Sequence, residues 1–371
     1  MRIYLDYNAS TPLLPEVREA MLPWLDQGFG NPSSPHWAGE GAAAALREAR
    51  ARVAALLGAS PPEIVFTSGG SEASNWAIKS VALAAVARGR RKIVTSAVEH
   101  PATMVPCRYL ERFGITTTVV PVDDEGLVDL DAMAEAIDET TALVSVMHAN
   151  NEVGTLQPVA AIAELAHAAG ALLHCDAAQS VGKIAVHPAE LGADLLSLAG
   201  HKLYAPKGIG VLYVRPGLEL EPLIHGGGHE RGRRAGTENV LFAVALGAAA
   251  AVAVDAPCVD HLAAMRDRLH RGLAAHFGDR LLLNGHPAER LPNTLNLSFL
   301  GRRGHDVLAR VPDLAASTGS ACHSGEVSLS PVLVAMGKSE EACLGAVRFS
   351  TGRPTTAAEI DEAVEQLIRT S

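Results

Sequence analysis

Between Asp194 and Val214 the sequence reads Asp-Leu-Leu-Ser-Leu-Ala-Gly-His-Lys-Leu-Tyr-Ala-Pro-Lys-Gly-Ile-Gly-Val-Leu-Tyr-Val. The two ends are apolar and strand-like, and the centre is rich in glycine and proline, so the pattern predicts two strands joined by a constrained turn. The turn carries His201 and Lys202. A turn lysine is usually exposed, whereas one that emerges between strands can lose its water. Burial lowers the pKa of a lysine amine and makes the amine a nucleophile toward aldehydes.

Apolar runs and helical patterns alternate along the chain up to and including this stretch. Seven strand-like runs, with helical patterns between them, predict an α/β fold with a mostly parallel sheet covered by helices on both faces. The predicted strands are 64–67, 93–96, 116–121, 143–148, 172–175, 195–198 and 211–214, and the helical stretches are 72–88, 102–112, 130–138 and 158–169.

The pattern changes after an alanine-rich helical stretch at 240–254. Helical stretches at 259–277 and 357–369 enclose three further strand candidates, which predicts a smaller α+β domain. These candidates are 281–283, 294–299 and 347–350. We therefore predict a large domain formed by residues 11–254 and a small domain formed by residues 1–10 and 255–371.

Polar side chains follow several of the predicted strands, and ligands of such sheets bind beyond the carboxyl ends of the strands. Glu99 and His100 follow the second strand, and Asp176 follows the fifth. Ser68-Gly-Gly-Ser71 opens a helix directly after the first strand, so free backbone N–H groups and the helix dipole meet there. The segment is therefore either an anion-binding site or an ordinary helix cap.

Composition and charge limit the classes of partner. The chain has 371 residues, of which 48% are hydrophobic and 19% charged, as expected for a globular protein with a large core. A net charge of −10 gives no long-range attraction for nucleic acids or anionic membranes, so we expect neither partner. The five cysteines form no C-x-x-C pair, and the N-terminus lacks the apolar region of a signal peptide. We therefore expect no metal site and a cytoplasmic location.

Four short segments occur in a recognisable order: Thr67-Ser-Gly-Gly-Ser-Glu72, His174-Cys-Asp-Ala-Ala-Gln179, Ala199-Gly-His-Lys202 and Ser317-Thr-Gly-Ser-Ala-Cys322. Together they resemble the cysteine desulfurases, enzymes that use pyridoxal 5'-phosphate (PLP) and have the class V aminotransferase fold. The similarity extends from Tyr4 to Ser350. It implies the PLP-dependent transferase fold of type I, with a large three-layer α/β/α domain, and a homodimer.

The resemblance implies how the cofactor would be held. Lys202 would bind PLP as a Schiff base, and Asp176 would keep the pyridine nitrogen protonated so that the ring can accept electrons. His100 would stack on the ring and relay protons, and Gln179 would hydrogen-bond the ring oxygen. The other cofactor contacts would come from Gly70, Ser71, Asn151, His201 and, supplied by the partner subunit, Thr237. The chain departs from the family at Ala199, where the usual serine would direct a hydroxyl at the phosphate.

The resemblance also assigns residues to the substrate. Asn151 and Arg348 correspond to the clamp for the substrate carboxylate, since a guanidinium group matches a carboxylate geometrically. Arg348 lies on an apolar strand candidate, and the alternative is an internal ion pair with an acidic residue. Cys322 lies in a run of small polar residues of the family's longer-loop type. Its thiolate would attack the sulfur of PLP-bound cysteine and form a persulfide, whereas Cys175, within an apolar strand, is predicted to be inert.

We therefore predict a cysteine desulfurase with Lys202, Cys322 and His100 as catalytic residues. It would convert L-cysteine to L-alanine and pass the sulfur to an acceptor such as an iron–sulfur scaffold protein. Two other enzymatic functions stay open, a class V aminotransferase and a selenocysteine/cysteine lyase. A non-catalytic sulfur-relay scaffold is the alternative of a different class, and the presence of both Lys202 and Cys322 argues against it.

Overall fold

The structure is a computed structural model that describes residues 1–26, 28–318, 322–323, 326–327 and 329–369, with residues 322–323 and 326–327 described by their backbone only. The helices are α1 (Pro15–Asp26), α2 (Trp37–Leu56), α3 (Gly70–Ala85), α4 (Pro101–Leu110), α5 (Leu130–Ala136), α6 (Val159–Ala168), α7 (Val240–Asp255), α8 (Val259–Phe277), α9 (Gly304–Ala309), α10 (Pro331–Ala335), α11 (Glu340–Gly345) and α12 (Ala357–Arg369). The strands are β1 (Ile3–Tyr4), β2 (Ile64–Thr67), β3 (Lys92–Ser96), β4 (Thr116–Val120), β5 (Thr141–Met147), β6 (Leu172–Asp176), β7 (Leu195–Ala199), β8 (Gly210–Val214), β9 (Leu281–Asn284), β10 (Thr294–Phe299), β11 (Leu314–Ala315), β12 (Ser317–Thr318), β13 (Cys322–His323), β14 (Glu326–Val327) and β15 (Ala346–Ser350).

The central sheet contains the seven predicted strands in the order β2-β8-β7-β6-β5-β3-β4. Strand β8 is antiparallel to both of its neighbours, and the other pairs of neighbouring strands are parallel. The quoted stretch forms β7, the turn with Lys202, and β8. The prediction of a mostly parallel sheet is confirmed.

Helices cover both faces of this sheet. Ile93 and Leu195 pack in the cluster beneath α3 and α4, whereas the next residues along the same strands, Val94 and Leu196, pack in the cluster beneath α2, α6 and α7. Successive side chains of a strand point to opposite faces, so strands buried on both faces have continuous apolar runs. The predicted three-layer α/β/α arrangement is therefore present.

A second sheet, β12-β15-β10-β9, is antiparallel and packs against α8 and α12. Its core contains Phe299, Phe349 and Leu367, together with Ile3 and Leu5 from the N-terminal segment. Strand β1 also pairs with β11, which ties this segment to the C-terminal part of the chain. The domain boundaries at residues 10/11 and 254/255 stay a prediction.

Several short elements were not predicted from the sequence. Helices α9, α10 and α11 have 6, 5 and 6 residues, too few to repeat an apolar face detectably. Strands β13 and β14 pair in antiparallel fashion at Cys322, within the run of small polar residues. Among the described residues, no single helix is long and apolar enough to cross a membrane; α7 and its successor pass that test only as a pair bent by 82°.

Candidate active site

A cavity of about 630 Å³ lies beyond the carboxyl ends of β2, β3, β5, β6 and β7. Nine of the predicted site residues line it: Gly70, Ser71, His100, Asn151, Asp176, Gln179, His201, Lys202 and Arg348. They meet because parallel strands end at one edge of the sheet. A second cavity, about 670 Å³, opens between α9 and α11 and contains none of the predicted residues.

Two predicted residues are not seen in this cavity. Thr237 is exposed and lies at a neighbouring depression of about 240 Å³, which it shares with Ser68 and Glu230. Its assignment to a partner subunit stays a prediction. The backbone of Cys322 is in β13, and its side chain lies outside the described residues.

Lys202 occupies the last position of a tight 3₁₀ turn, Gly200–Lys202, directly after β7. A Cβ atom on Gly200 would lie 2.9 Å from the carbonyl oxygen of Ile209, so only glycine fits this turn. The Nζ atom of Lys202 donates to the carbonyl oxygens of Asn8, at 2.5 Å, and Ala9, at 2.8 Å. Burial, with a further contribution from the charge of Arg348, lowers the pKa of Lys202 to about 8. The predicted desolvated lysine is thus present.

Asp176 is buried at the end of β6, and its carboxylate accepts a hydrogen bond from the backbone N–H of Ala178 at 3.0 Å. Burial raises the pKa of this carboxyl, although the neighbouring charges of His100 and Lys202 oppose the shift. Among the described residues, no cation lies within 4.0 Å of its oxygens. A ligand with a positive group could therefore neutralise a carboxylate that the protein itself leaves unpaired.

His100 faces the cavity from the N-cap of α4. Its Nδ1 atom accepts a hydrogen bond from the backbone N–H of Ala102 at 3.1 Å. The surrounding protein partly desolvates the ring and lowers its pKa. In the neutral ring the proton is therefore on Nε2, because Nδ1 acts as an acceptor.

The start of α3 forms one end of the cavity. Gly69 is the N-cap residue of α3, and no side chain of this residue caps the helix. The first N–H groups of a helix have no partner within the helix. A Cβ atom on Gly70 would lie 3.2 Å from the Cβ of Ala199, so β7 and α3 approach closely here. The structure therefore has free backbone N–H donors at the segment that the sequence left as either an anion-binding site or an ordinary helix cap.

An acidic residue at this helix start was not predicted as part of the site. Glu72 accepts a hydrogen bond from the backbone N–H of Ser68 at 2.7 Å and forms a two-pronged ion pair with Arg234, at 2.9 and 3.1 Å. Burial opposes ionisation, but the bonds from Arg234 and Ser68 outweigh it and lower the pKa of Glu72. Arg234 therefore neutralises a negative charge beside the free N–H groups.

Arg348 forms the internal ion pair that was the alternative to a substrate clamp. Its Nη2 atom lies 2.8 Å from Oδ1 of Asp6, and its Nη1 atom donates to the carbonyl oxygen of Asn151 at 3.0 Å. The Nε atom is buried and has no partner in the described residues. Arg348 also lines the cavity, so a substrate carboxylate would compete with Asp6 for the same guanidinium group.

Two further residues at the site lacked any recognisable motif. Asn8 accepts hydrogen bonds at its backbone oxygen from Lys202 and from Nε2 of Gln179. Lys183 is buried and donates to the side-chain oxygens of both Asn8 and Gln179. The spacing of four residues between Gln179 and Lys183 could have suggested their contact, but nothing near Asn8 in sequence indicated its role.

The four cysteine side chains that the structure describes are wholly or partly buried. Cys107, Cys175 and Cys343 are buried, and Cys258 is partly buried. Burial raises the pKa of Cys107 to about 12 and that of Cys175 well above its usual range. These thiols are therefore protonated at neutral pH, which agrees with the prediction that Cys175 is inert.

The chain was compared with known proteins. The family model "Aminotransferase class-V" matches residues 3–363. Two curated relatives are "Cysteine desulfurase IscS" of Dictyoglomus turgidum, 44% identical over 99% of this chain and 94% of the relative, and "Cysteine desulfurase" of Cereibacter sphaeroides, 47% identical over 99% and 95%.

Solved structures agree with these relatives. A "NifS-like protein" is 37% identical, with a TM-score of 0.93, and the match covers 100% of this chain and 99% of that one. A structure described as "SspA in complex with cysteine" is 36% identical, with a TM-score of 0.82, over 94% and 98% of the two chains. The chain therefore belongs to the class-V aminotransferase family and, within it, to the cysteine desulfurases.

Proposed function

We propose that this protein is a PLP-dependent cysteine desulfurase that converts L-cysteine to L-alanine and stores the sulfur as a persulfide on Cys322. The observation that carries the proposal is the pair of Lys202, an amine whose pKa is lowered to about 8, and Asp176, a buried carboxylate facing the same cavity. An aldehyde cofactor with a basic ring nitrogen needs these two groups together. The family membership and the curated relatives support this activity.

The residues of the cavity fit PLP. The unpaired carboxylate of Asp176 suits a protonated pyridine nitrogen, and the free N–H groups at the start of α3 suit a phosphate. The amine of Lys202 is the nucleophile that would bond to the aldehyde carbon. Bound there, PLP would supply an electron sink for the electrons released at the Cα atom of the substrate.

The protein's own side chains would then bind and orient the substrate and move its protons. Arg348 would hold the substrate carboxylate, with Asn151 beside it. Lys202 and His100 both line the cavity. The pKa of Lys202, lowered to about 8, lets its amine accept and return a proton near neutral pH, and the lowered pKa of His100 leaves its ring neutral and able to accept one.

The sulfur step needs a thiolate from the protein. The thiolate of Cys322 would attack the sulfur atom of the substrate, so that a new S–S bond forms as the C–S bond breaks. L-Cysteine and one enzyme thiol thus become L-alanine and one enzyme persulfide, with no external oxidant. A thiol reductant or an acceptor protein would then remove the outer sulfur.

We further propose a homodimer in which Thr237 contacts the cofactor of the partner subunit. Its exposure and its position beside Ser68, outside the cavity, support this arrangement. An iron–sulfur scaffold is the proposed sulfur acceptor, and a cytoplasmic location is proposed from the odd number of cysteines without a C-x-x-C pair.

The proposed function is tested by supplying L-cysteine and a reductant to the PLP-loaded protein. Alanine and sulfide are expected in equal amounts. Cys322→Ser should keep the absorbance of bound PLP but lose alanine production, because a serine hydroxyl cannot store a persulfide. Cys258→Ser is the matched control and should remain active. Undiminished alanine production by Cys322→Ser, or pyruvate instead of alanine, would contradict the desulfurase reaction.

A further inference from the structure

Lys183 is a buried lysine with no assigned role. It is 7% exposed, lies in the turn after β6 and does not line the cavity. Its Nζ atom donates to Oε1 of Gln179 at 2.8 Å and to Oδ1 of Asn8 at 2.9 Å. No carboxylate of the described residues forms a salt bridge with it. Burial, with smaller contributions from the charges of Lys202 and Arg348, lowers the pKa of Lys183 well below its ordinary value. A buried lysine held only by two amide oxygens requires an explanation.

The amide of Gln179 has a defined direction because of this contact. The Nζ atom of Lys183 donates to Gln179, and the backbone carbonyl of Asn8 on the other side can only accept a hydrogen bond, so the amide oxygen of Gln179 faces Lys183. The NH₂ group therefore points the other way, where it donates to the backbone oxygen of Asn8 at 3.1 Å. An amide NH₂ has two N–H donors. The bond to Asn8 uses one of them, and Gln179 lines the cavity.

The same lysine also orients a second amide. Oδ1 of Asn8 faces Lys183, and its Nδ2 atom donates to the carbonyl oxygen of Asn151 at 3.2 Å and to Oγ1 of Thr294 at 2.8 Å. The backbone oxygen that accepts the hydrogen bond from Gln179 also belongs to Asn8. Lys183 therefore contacts the Gln179 amide directly. Together with Asn293, which also donates to Oδ1 of Asn8, it also helps to hold the residue whose backbone oxygen accepts from the Gln179 NH₂ group.

We propose that Lys183 is a positioning residue that makes Gln179 present an N–H group, and not its carbonyl oxygen, to the ring oxygen of PLP. The inference rests on the proposed function, since it requires PLP in this cavity. A donor stabilises the ionised form of the ring oxygen, and a carbonyl oxygen in its place would repel that form. Lys183 would therefore lower the pKa of the bound cofactor without touching it.

The test is a pH titration of the absorbance of the bound cofactor in the wild type and in Lys183→Met. Methionine has a similar length but no donor. The midpoint of the titration is expected to rise by about one pH unit, a ten-fold change in proton affinity, as expected for the loss of a hydrogen bond to a charged group. PLP should still attach to Lys202. A variant that only lost stability would show a lower melting temperature and an unchanged midpoint, which would overturn the inference.

A double-mutant cycle shows whether the effect passes through Gln179. Gln179→Met should raise the midpoint by a similar amount, and Lys183→Met combined with Gln179→Met should raise it no further. Additive shifts would mean that Lys183 acts through its own charge, and would overturn the inference. Lys183→Arg, which keeps donors, should restore a midpoint close to that of the wild type.

Two outcomes separate this inference from the proposed function. A wild-type protein that forms no visible absorbance band with PLP would overturn both. A wild-type band whose midpoint does not move in Lys183→Met would overturn the positioning role alone. Should Lys183→Met fail to fold, Lys183→Leu replaces it, because leucine also lacks a donor. The same rise of the midpoint is then expected, and an unchanged midpoint would again overturn the role.

Discussion

Lys202 shows how a single residue acquires its reactivity from its surroundings. Burial removes water from its amine, which donates to two backbone carbonyls that carry no net charge, and the nearby guanidinium group of Arg348 disfavours a second positive charge. The pKa therefore falls from its ordinary value to about 8. At pH 7 roughly one amine in ten would be neutral, compared with well under one in a thousand for an unperturbed lysine.

Replacing Lys202 by alanine is expected to abolish covalent attachment of PLP. Borohydride reduction followed by mass spectrometry of peptides should find the cofactor on Lys202 in the wild type and on no lysine in Lys202→Ala. Lys79→Ala, in α3 but outside the cavity lining, is the control and should be labelled like the wild type. A reduced PLP adduct on another lysine in Lys202→Ala would contradict the assignment.

The rate of PLP attachment to the cofactor-free protein should rise with pH, with a midpoint near 8. The neutral amine is the nucleophile, and a lowered pKa makes it available at lower pH. Stopped-flow absorbance between pH 6 and about 10 would measure the midpoint. A rate that continues to rise to pH 10, as for an ordinary lysine, would show that Lys202 is not desolvated.

At the scale of elements, the site depends on how closely the end of β7 approaches the start of α3. Ala199 is 5% exposed, lines the cavity and lies beside Gly70. A side chain at this position therefore points toward the free N–H groups of the helix. This geometry agrees with the family's use of a serine here to contact a phosphate.

Ala199→Ser is expected to tighten PLP binding by about ten-fold, because it adds a donor to a charged phosphate. Equilibrium dialysis of the cofactor-free proteins would give the dissociation constants. Ala178→Ser is the matched control, since it adds a hydroxyl elsewhere on the cavity wall, beside Asp176. Equal tightening in both variants, or none in Ala199→Ser, would contradict a missing donor at position 199.

At the scale of the whole molecule, one buried ion pair joins α2 to the long loop that precedes α7. Arg50 and Glu230 are 8% and 3% exposed, and their side chains meet at 2.6 and 2.7 Å. Glu230 also accepts a hydrogen bond from the backbone N–H of Phe66 at 3.0 Å. Glu230 and Arg231 have positive φ angles of 48° and 61°, which are unfavourable for residues with side chains. The ion pair therefore holds a strained turn in the loop that carries Thr237.

Glu230→Ala is expected to lower the free energy of unfolding by about 3–5 kcal/mol, because it leaves the charge of Arg50 buried and unpaired. Urea unfolding monitored by circular dichroism would measure the change. Asp361→Ala removes the partner of Arg268 in an exposed pair and should have no detectable effect. Equal changes in the free energy of unfolding for the two substitutions would mean that the buried pair stabilises the fold no more than an exposed pair does.

Local sequence was sufficient for the seven central strands and the longer helices, because each repeats an apolar pattern over its own length. It also selected Lys202, Asp176 and Gln179, which lie in short motifs whose order resembles a known family, and His100, which follows the second predicted strand. The structure places all four at one cavity, and their roles stay predictions. Helices α9 to α11 were missed because a turn or two of helix carries no detectable period.

Only the tertiary structure determined the partners of the site residues. Asn8 and Lys183 are 175 positions apart, and Asp6 and Arg348 are 342 apart, so no local pattern records either contact. The pKa of Lys202 likewise depends on burial by segments that are distant in sequence. Hydrogen bonding and desolvation are set by atoms within a few ångströms in space, and the folded chain alone decides which atoms those are.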